Sequence, residues 1–273
     1  MKNLPKTRFI QAVTLAVILA VSATAFCTED ILFVGNSFTF AAGAQAVAKF
    51  GGVPKLVEAI ASAKGRKSEI LMVATGGKDW GYHLQQPATE TALSAKKWDW
   101  VVLQNYSTKP THMGNLSEML ANGENFYKRV RSHSPSAGIV LYETWARGKG
   151  NGLYTGVSTP NSFVDQEQMT AEIQKGYAET KKRLEALEPG EQVRLAPVGT
   201  AFALCQKKNP GINLYSPDRY HASAQGYYLS ALVIYGTIFH DSPVGATREF
   251  PGITLDADVA AKLQQIAAEV VKQ

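Results

Sequence analysis

The stretch Ile31-Leu32-Phe33-Val34-Gly35-Asn36-Ser37-Phe38-Thr39 runs from four consecutive apolar residues into a glycine, an amide and a serine. A short continuous apolar run that ends on a turn signal reads as a strand buried on both faces, as strands of parallel sheets are. Outward from it, residues 69–74, 100–104, 138–143 and 192–196 read as further strands. Between them, helical patterns fall near residues 54–64, 116–132, 166–187 and 222–239, and residues 257–272 close the chain as an amphipathic helix. This alternation predicts an α/β fold, a parallel sheet with helices on both faces. Residues 148–160, rich in Gly, Asn, Ser and Thr, read as a long surface loop. In open sheets of this kind, reactive groups gather in the loops at the carboxyl ends of the strands.

The beginning of the chain reads differently. Lys2, Lys6 and Arg8 precede an apolar stretch over residues 9–21 and then Ala23-Thr24-Ala25, the order of a secretory signal peptide with its cleavage site. The expected division is a leader over residues 1–25 and one α/β domain over 26–273, exported to the periplasm or beyond. Gln11 and Thr14 interrupt a run already short for a membrane span. A lipid anchor fits poorly, because the bulky Phe26 precedes Cys27 where a small residue is needed. Removing the leader takes three of the 28 lysines and arginines and none of the 23 acids, so the formal charge falls from +5 to +2. The basic excess is therefore largely an export signal, and no basic run suited to tracking nucleic-acid phosphates remains. Cys27 and Cys205 are too far apart in sequence to suggest a metal site; an oxidising compartment permits a disulfide between them, the alternative being two free buried thiols.

Two loops carry candidate chemistry. Ser37, directly after the first strand, can present its hydroxyl at the top of the sheet as a nucleophile, or it can cap a following helix. In Ser216-Pro217-Asp218-Arg219-Tyr220-His221, a carboxylate stands three residues before a histidine on one compact turn. A serine needs a base to take its proton, and the base works best when a carboxylate fixes its tautomer and stabilises the imidazolium. The competing reading makes this pair a cap for the helix near Ala222.

Four segments, FVGNSFTF (33–40), LMVATGGKDW (71–80), VVLQNYS (101–107) and YSPDRYHASAQGYYLSALVIYG (215–236), resemble the four blocks of SGNH/GDSL hydrolases, in that family's order. The resemblance implies a three-layer α/β/α fold with a flavodoxin-like parallel sheet. It also implies Ser37 as nucleophile, His221 as general base and Asp218 as its orienting acid. The oxyanion hole it implies combines the N–H of Ser37, the N–H of Gly76 or Gly77, and a side-chain amide after the third strand. Here the family's usual Gly-x-Asn-Asp is replaced, and Gln104 or Asn105 can donate. Gln104 is the first choice because it ends the apolar run; if the strand continues, Asn105 points to the opposite face. The usual Gly-Asp-Ser is Gly-Asn-Ser, with the serine in place.

Trp145 and Arg147, past the fourth strand, are candidates for the cleft rim: Trp145 to stack on a sugar and Arg147 to contact a substrate oxygen, or both to pack locally. His83, His112, His133 and His240 lack partners at metal-ligand spacing, and no cofactor is expected. Ser94-Ala95-Lys96-Lys97 matches Ser-x-x-Lys formally, without the companion motifs of penicillin-recognising enzymes. The reading is an exported serine ester hydrolase acting on a carbohydrate O-acyl ester, acetyl first. The alternatives are a lipolytic esterase or lysophospholipase, and a carbohydrate-binding domain of the same fold without turnover.

Overall fold

The computed structural model describes residues 28–188, 190 and 192–272; the leader expected over 1–25, and Cys27, lie outside the described residues. In chain order the elements are β1 (Thr28–Gly35), α1 (Gln45–Phe50), α2 (Gly52–Ala63), β2 (Lys67–Ala74), α3 (Trp80–His83), α4 (Pro87–Ser94), β3 (Trp100–Leu103), α5 (Leu116–His133) and β4 (Gly138–Tyr142). They continue with α6 (Gln166–Glu185), β5 (Val193–Ala196), α7 (Val198–Lys208), α8 (Ala224–Phe239), β6 (Glu249–Phe250), β7 (Ile253–Thr254) and α9 (Ala257–Val271). β1 to β5 form one sheet in the order β2-β1-β3-β4-β5, every pair parallel. That is the flavodoxin-like order, whose switch point lies between β1 and β3. The expected α/β/α layering is therefore present.

Successive strand residues point to opposite faces, and the two faces build two cores. Ile31, Phe33, Val102, Val140 and Tyr142 pack with side chains of α2, α7, α8 and α9. Leu32, Val34, Val101, Leu103, Ile139 and Leu141 pack on the other side with Trp80, Leu93 and residues of α5 and α6. α8 is apolar all round because it is surrounded: its whole length from Gly226 to Ile238 is buried. β2 is an edge strand whose exposure alternates, leaving Leu71 on the surface.

The four longest helices among the described residues, α5, α6, α8 and α9, begin where a side chain takes up a free N–H group. Asn115 accepts from Glu118, Asp165 from Gln168, Ser223 from Gly226 and Asp256 from Val259. Ser223 caps α8, which begins two residues beyond the expected start, so Asp218 and His221 are not needed there. α1, α3, α4, α7 and the β6–β7 hairpin go beyond the sequence expectation. The first three are short, and α7 starts behind Pro197 with Gly199 and Thr200 in its first turn, where propensity is weak. Residues 148–160 form turns and isolated bridges, as a surface loop should.

Candidate active site

β1 ends at Gly35, and the chain turns at once through Asn36 and Ser37, so the serine stands at the carboxyl edge of the sheet beside the switch point. Asn36 anchors this turn from both ends of its amide. Its Oδ1 accepts from the N–H of Phe38 at 3.1 Å, and its Nδ2 donates to the carbonyl of Lys78 at 2.9 Å. The second bond ties the serine loop to the Thr75–Lys78 turn after β2. That turn is closed by the Lys78 N–H on the Thr75 carbonyl at 3.2 Å, and Gly77 at its corner has φ +71°, a left-handed conformation that favours glycine. Buried His83 adds a further tie, its Nε2 lying 2.8 Å from the Gly35 carbonyl; burial pushes its pKa down.

The other half comes from the turn before α8. Asp218 Oδ1 accepts from the Ser216 hydroxyl at 2.6 Å and from the N–H groups of Tyr220 and His221 at 2.8 and 2.9 Å. Its Oδ2 lies 2.7 Å from His221 Nδ1, and His221 Nε2 lies 3.0 Å from Ser37 Oγ. Burial opposes ionisation of Asp218, but these hydrogen bonds outweigh it and hold the carboxyl well below the usual range. An ionised Asp218 accepting from Nδ1–H leaves Nε2 free to accept from the serine hydroxyl. The approach is close: a Cβ on Gly43 would lie 2.4 Å from His221 Cβ and 2.5 Å from the Ala222 carbonyl, so only glycine lets the serine segment pack against the histidine turn.

After β3 the two amides have different roles. Gln104 Oε1 accepts from the Asn36 N–H at 2.8 Å and from the Thr39 hydroxyl at 2.9 Å, while its Nε2 donates to the Asn105 carbonyl. Gln104 is thus bound into the base of the serine loop, with both its amide oxygen and one N–H of Nε2 engaged there. Asn105 Oδ1 accepts from the N–H groups of Trp80 and Tyr106, leaving Nδ2 buried and without a partner among the described residues. β3 ends at Leu103, so strand alternation no longer governs where Asn105 points.

The expected rim position of Trp145 is not met. Trp145 is fully buried, stacked between Phe38 at 4.1 Å and Phe202 at 4.6 Å, and its Nε1 donates to the Tyr220 carbonyl at 3.1 Å. An indole with aromatic rings on both faces cannot stack on a sugar. Arg147 is also buried, its guanidinium 3.4 Å from the Tyr220 ring centroid and bonded to the Ser107 hydroxyl at 2.9 Å. Glu143, just past β4, is buried and accepts from the N–H and hydroxyl of Thr200; burial pushes its carboxyl up to about 7.

The remaining sequence candidates lie apart. Ser94 bonds to its own helix, and Lys96 pairs with Asp30 and Glu69 at the opposite, amino-terminal end of the sheet. His112 pairs with Glu172 and His133 with Glu90, while His240 follows the last turn of α8. Among the described residues no group of three or more side chains could hold a metal ion, and no helix is long and apolar enough to cross a membrane. Cys205 is buried on α7.

No family model and no curated protein matches the chain. Solved structures do. A DUF4886 family protein from Bacteroides uniformis aligns over 90% of this chain and 95% of its own, with TM-score 0.68 and 18% identity. A family 3 carbohydrate esterase of Clostridium thermocellum aligns over 78% and 96%, with TM-score 0.56 and 13% identity. The esterase EstA of Pseudoalteromonas sp., solved inhibited by monoethylphosphonate, aligns over 78% and 97%, with TM-score 0.52 and 14% identity. The chain has the SGNH/GDSL hydrolase fold. Within that fold, Ser37 follows the first strand, the Gly76-Gly77 turn the second and Asn105 the third, with the Asp218–His221 turn opposite them.

Proposed function

We propose that this protein is a serine ester hydrolase. The observation that carries the reading is the relay from Asp218 through His221 to Ser37, with links of 2.7 and 3.0 Å between residues that are 184 positions apart at its longest step. Ser37 Oγ attacks the acyl carbon as His221 Nε2 takes its proton. The tetrahedral oxyanion is met by the N–H of Ser37, an N–H of the Gly76-Gly77 turn and Asn105 Nδ2, donors fixed before the charge develops. His221 then passes the proton to the leaving alcohol, and a water activated by the same imidazole releases the acid from the acyl-enzyme.

The substrate class we propose is a carbohydrate O-acyl ester, acetyl first. Its support is the expected export leader and the presence of carbohydrate esterases among the structural neighbours. The fully buried Trp145 gives it no support. Hydrolysis of p-nitrophenyl esters of increasing acyl length, by the wild type and by Ser37→Ala and His221→Ala, tests the reading. Turnover should be greatest with acetate and fall by several orders of magnitude in both variants. A preference for long chains would indicate a lipolytic enzyme, and no turnover by the wild type would leave a binding domain.

A further inference from the structure

Arg147 is a buried cation beside this site that the relay does not use. It is 5% exposed, yet no carboxylate lies within ion-pair distance of it among the described residues. Less buried cations elsewhere are paired: Lys109 with Asp79 and Glu118, and Arg131 with Glu188. A buried guanidinium without a counter-charge is costly. Part of that cost is offset by the Tyr220 ring at 3.4 Å and the Phe38 ring at 6.0 Å. Ser107 takes one hydrogen bond from its Nη1, and a guanidinium has five N–H donors. Asp218, in the adjoining turn, gives its oxygens to Ser216, Tyr220 and His221 instead.

The location gives this unpaired charge its meaning. Ser107 stands two residues beyond Asn105, Tyr220 directly before His221, and Phe38 directly after Ser37. The guanidinium therefore lies among the loops that hold the oxyanion donor, the base and the nucleophile. An anion bound there would be part of the same small molecule as the scissile ester. We propose that Arg147 is a specificity-determining residue that selects esters carrying a carboxylate. This deepens the ester hydrolase reading and rests on it. The carboxylate can belong to the alcohol, as in an acylated acidic sugar, or to the acyl group, as in a hemiester of a dicarboxylic acid. Charge-assisted bidentate binding by a planar fork is the recognition such a group calls for.

The test pairs charged esters with their neutral methyl-ester counterparts: p-acetoxybenzoate with methyl p-acetoxybenzoate, and p-nitrophenyl hydrogen succinate with p-nitrophenyl methyl succinate. In each pair the charged-to-neutral ratio of kcat/KM, corrected for spontaneous hydrolysis, is compared between wild type and Arg147→Met. In one pair, which identifies the side that bears the charge, the ratio should fall roughly 10–100-fold, chiefly through KM. Arg147→Lys should retain part of the preference. Should Arg147→Met not fold, the wild type still decides: p-hydroxybenzoate or succinate should inhibit hydrolysis of a neutral ester, and methyl p-hydroxybenzoate or dimethyl succinate should do so far less. Ratios unchanged in both pairs, or equal inhibition by charged and neutral compounds, would overturn the proposal while leaving the hydrolase intact. Failure to hydrolyse all four esters would refute the hydrolase reading itself.

Discussion

The division of labour between Gln104 and Asn105 can be tested by replacing Asn105 with aspartate. Asn105 Oδ1 accepts two buried N–H groups, from Trp80 at 3.2 Å and Tyr106 at 2.8 Å, so truncation to alanine would orphan both. Aspartate keeps those bonds and the shape, and it replaces only the Nδ2 donor, by an acceptor oxygen. Loss of one oxyanion donor lowers kcat by about 10²–10³, and the carboxylate's repulsion of the developing charge makes that a lower bound. KM should change little, because the interaction is made mainly in the transition state. The comparison is Gln104→Ala. Its side chain holds the Asn36 N–H and the Thr39 hydroxyl inside the serine loop, and each buried group left unsatisfied costs about 1–3 kcal/mol. Gln104→Ala should thus lower the urea midpoint sharply. Steady-state kinetics above neutral pH, where the introduced carboxyl is ionised, and urea melts of both variants measure the difference. The reasoning is refuted if Asn105→Asp keeps kcat within a few-fold of wild type, or if Gln104→Ala loses kcat with no loss of stability.

Two further outcomes concern the buried side chains Glu143 and Trp145. Burial raises the Glu143 carboxyl to about 7, so its ionisation penalises the folded state increasingly as pH rises from the unfolded carboxylate's range near 4.5 through 7. Glu143→Gln keeps an acceptor for Thr200 and removes that titration, so its advantage over wild type should grow to about 3 kcal/mol between acid and mildly alkaline pH; parallel urea melts showing no pH-dependent gap would contradict this. Trp145→Ala empties the slot between Phe38 and Phe202 and should cost about 3–5 kcal/mol in stability, with a drop in Tm proportionally larger than for exposed substitutions.

The sheet was legible because β1, β3 and β4 are short apolar runs between turn signals, and the two reactive loops because each follows or precedes a strongly patterned element. Asp218 and His221 could be paired from sequence because they stand three positions apart on one turn. The partners of Gln104 and Asn105 were not legible, since they depend on β3 ending at Leu103, one residue before the end of the strand read over 100–104, and on which distant N–H groups each side chain meets. Trp145 misled for a related reason. An aromatic residue just past a strand end faces the cleft or the core according to what packs on it, and Phe202 comes from α7, a helix the sequence pattern did not reveal. The isolation of Arg147 from carboxylates is likewise a property of distant segments brought together.

The central claim is that Ser37 is a nucleophile activated by His221. A fluorophosphonate probe reacts with such a serine and with few others, and intact mass followed by peptide mapping finds the site of attachment. The account predicts one stoichiometric adduct on Ser37, formed fast in the wild type, slowed at least 10²-fold in His221→Ala, and absent in Ser37→Ala. Labelling at a different residue, or a Ser37→Ala protein that labels as fast as wild type, would contradict it.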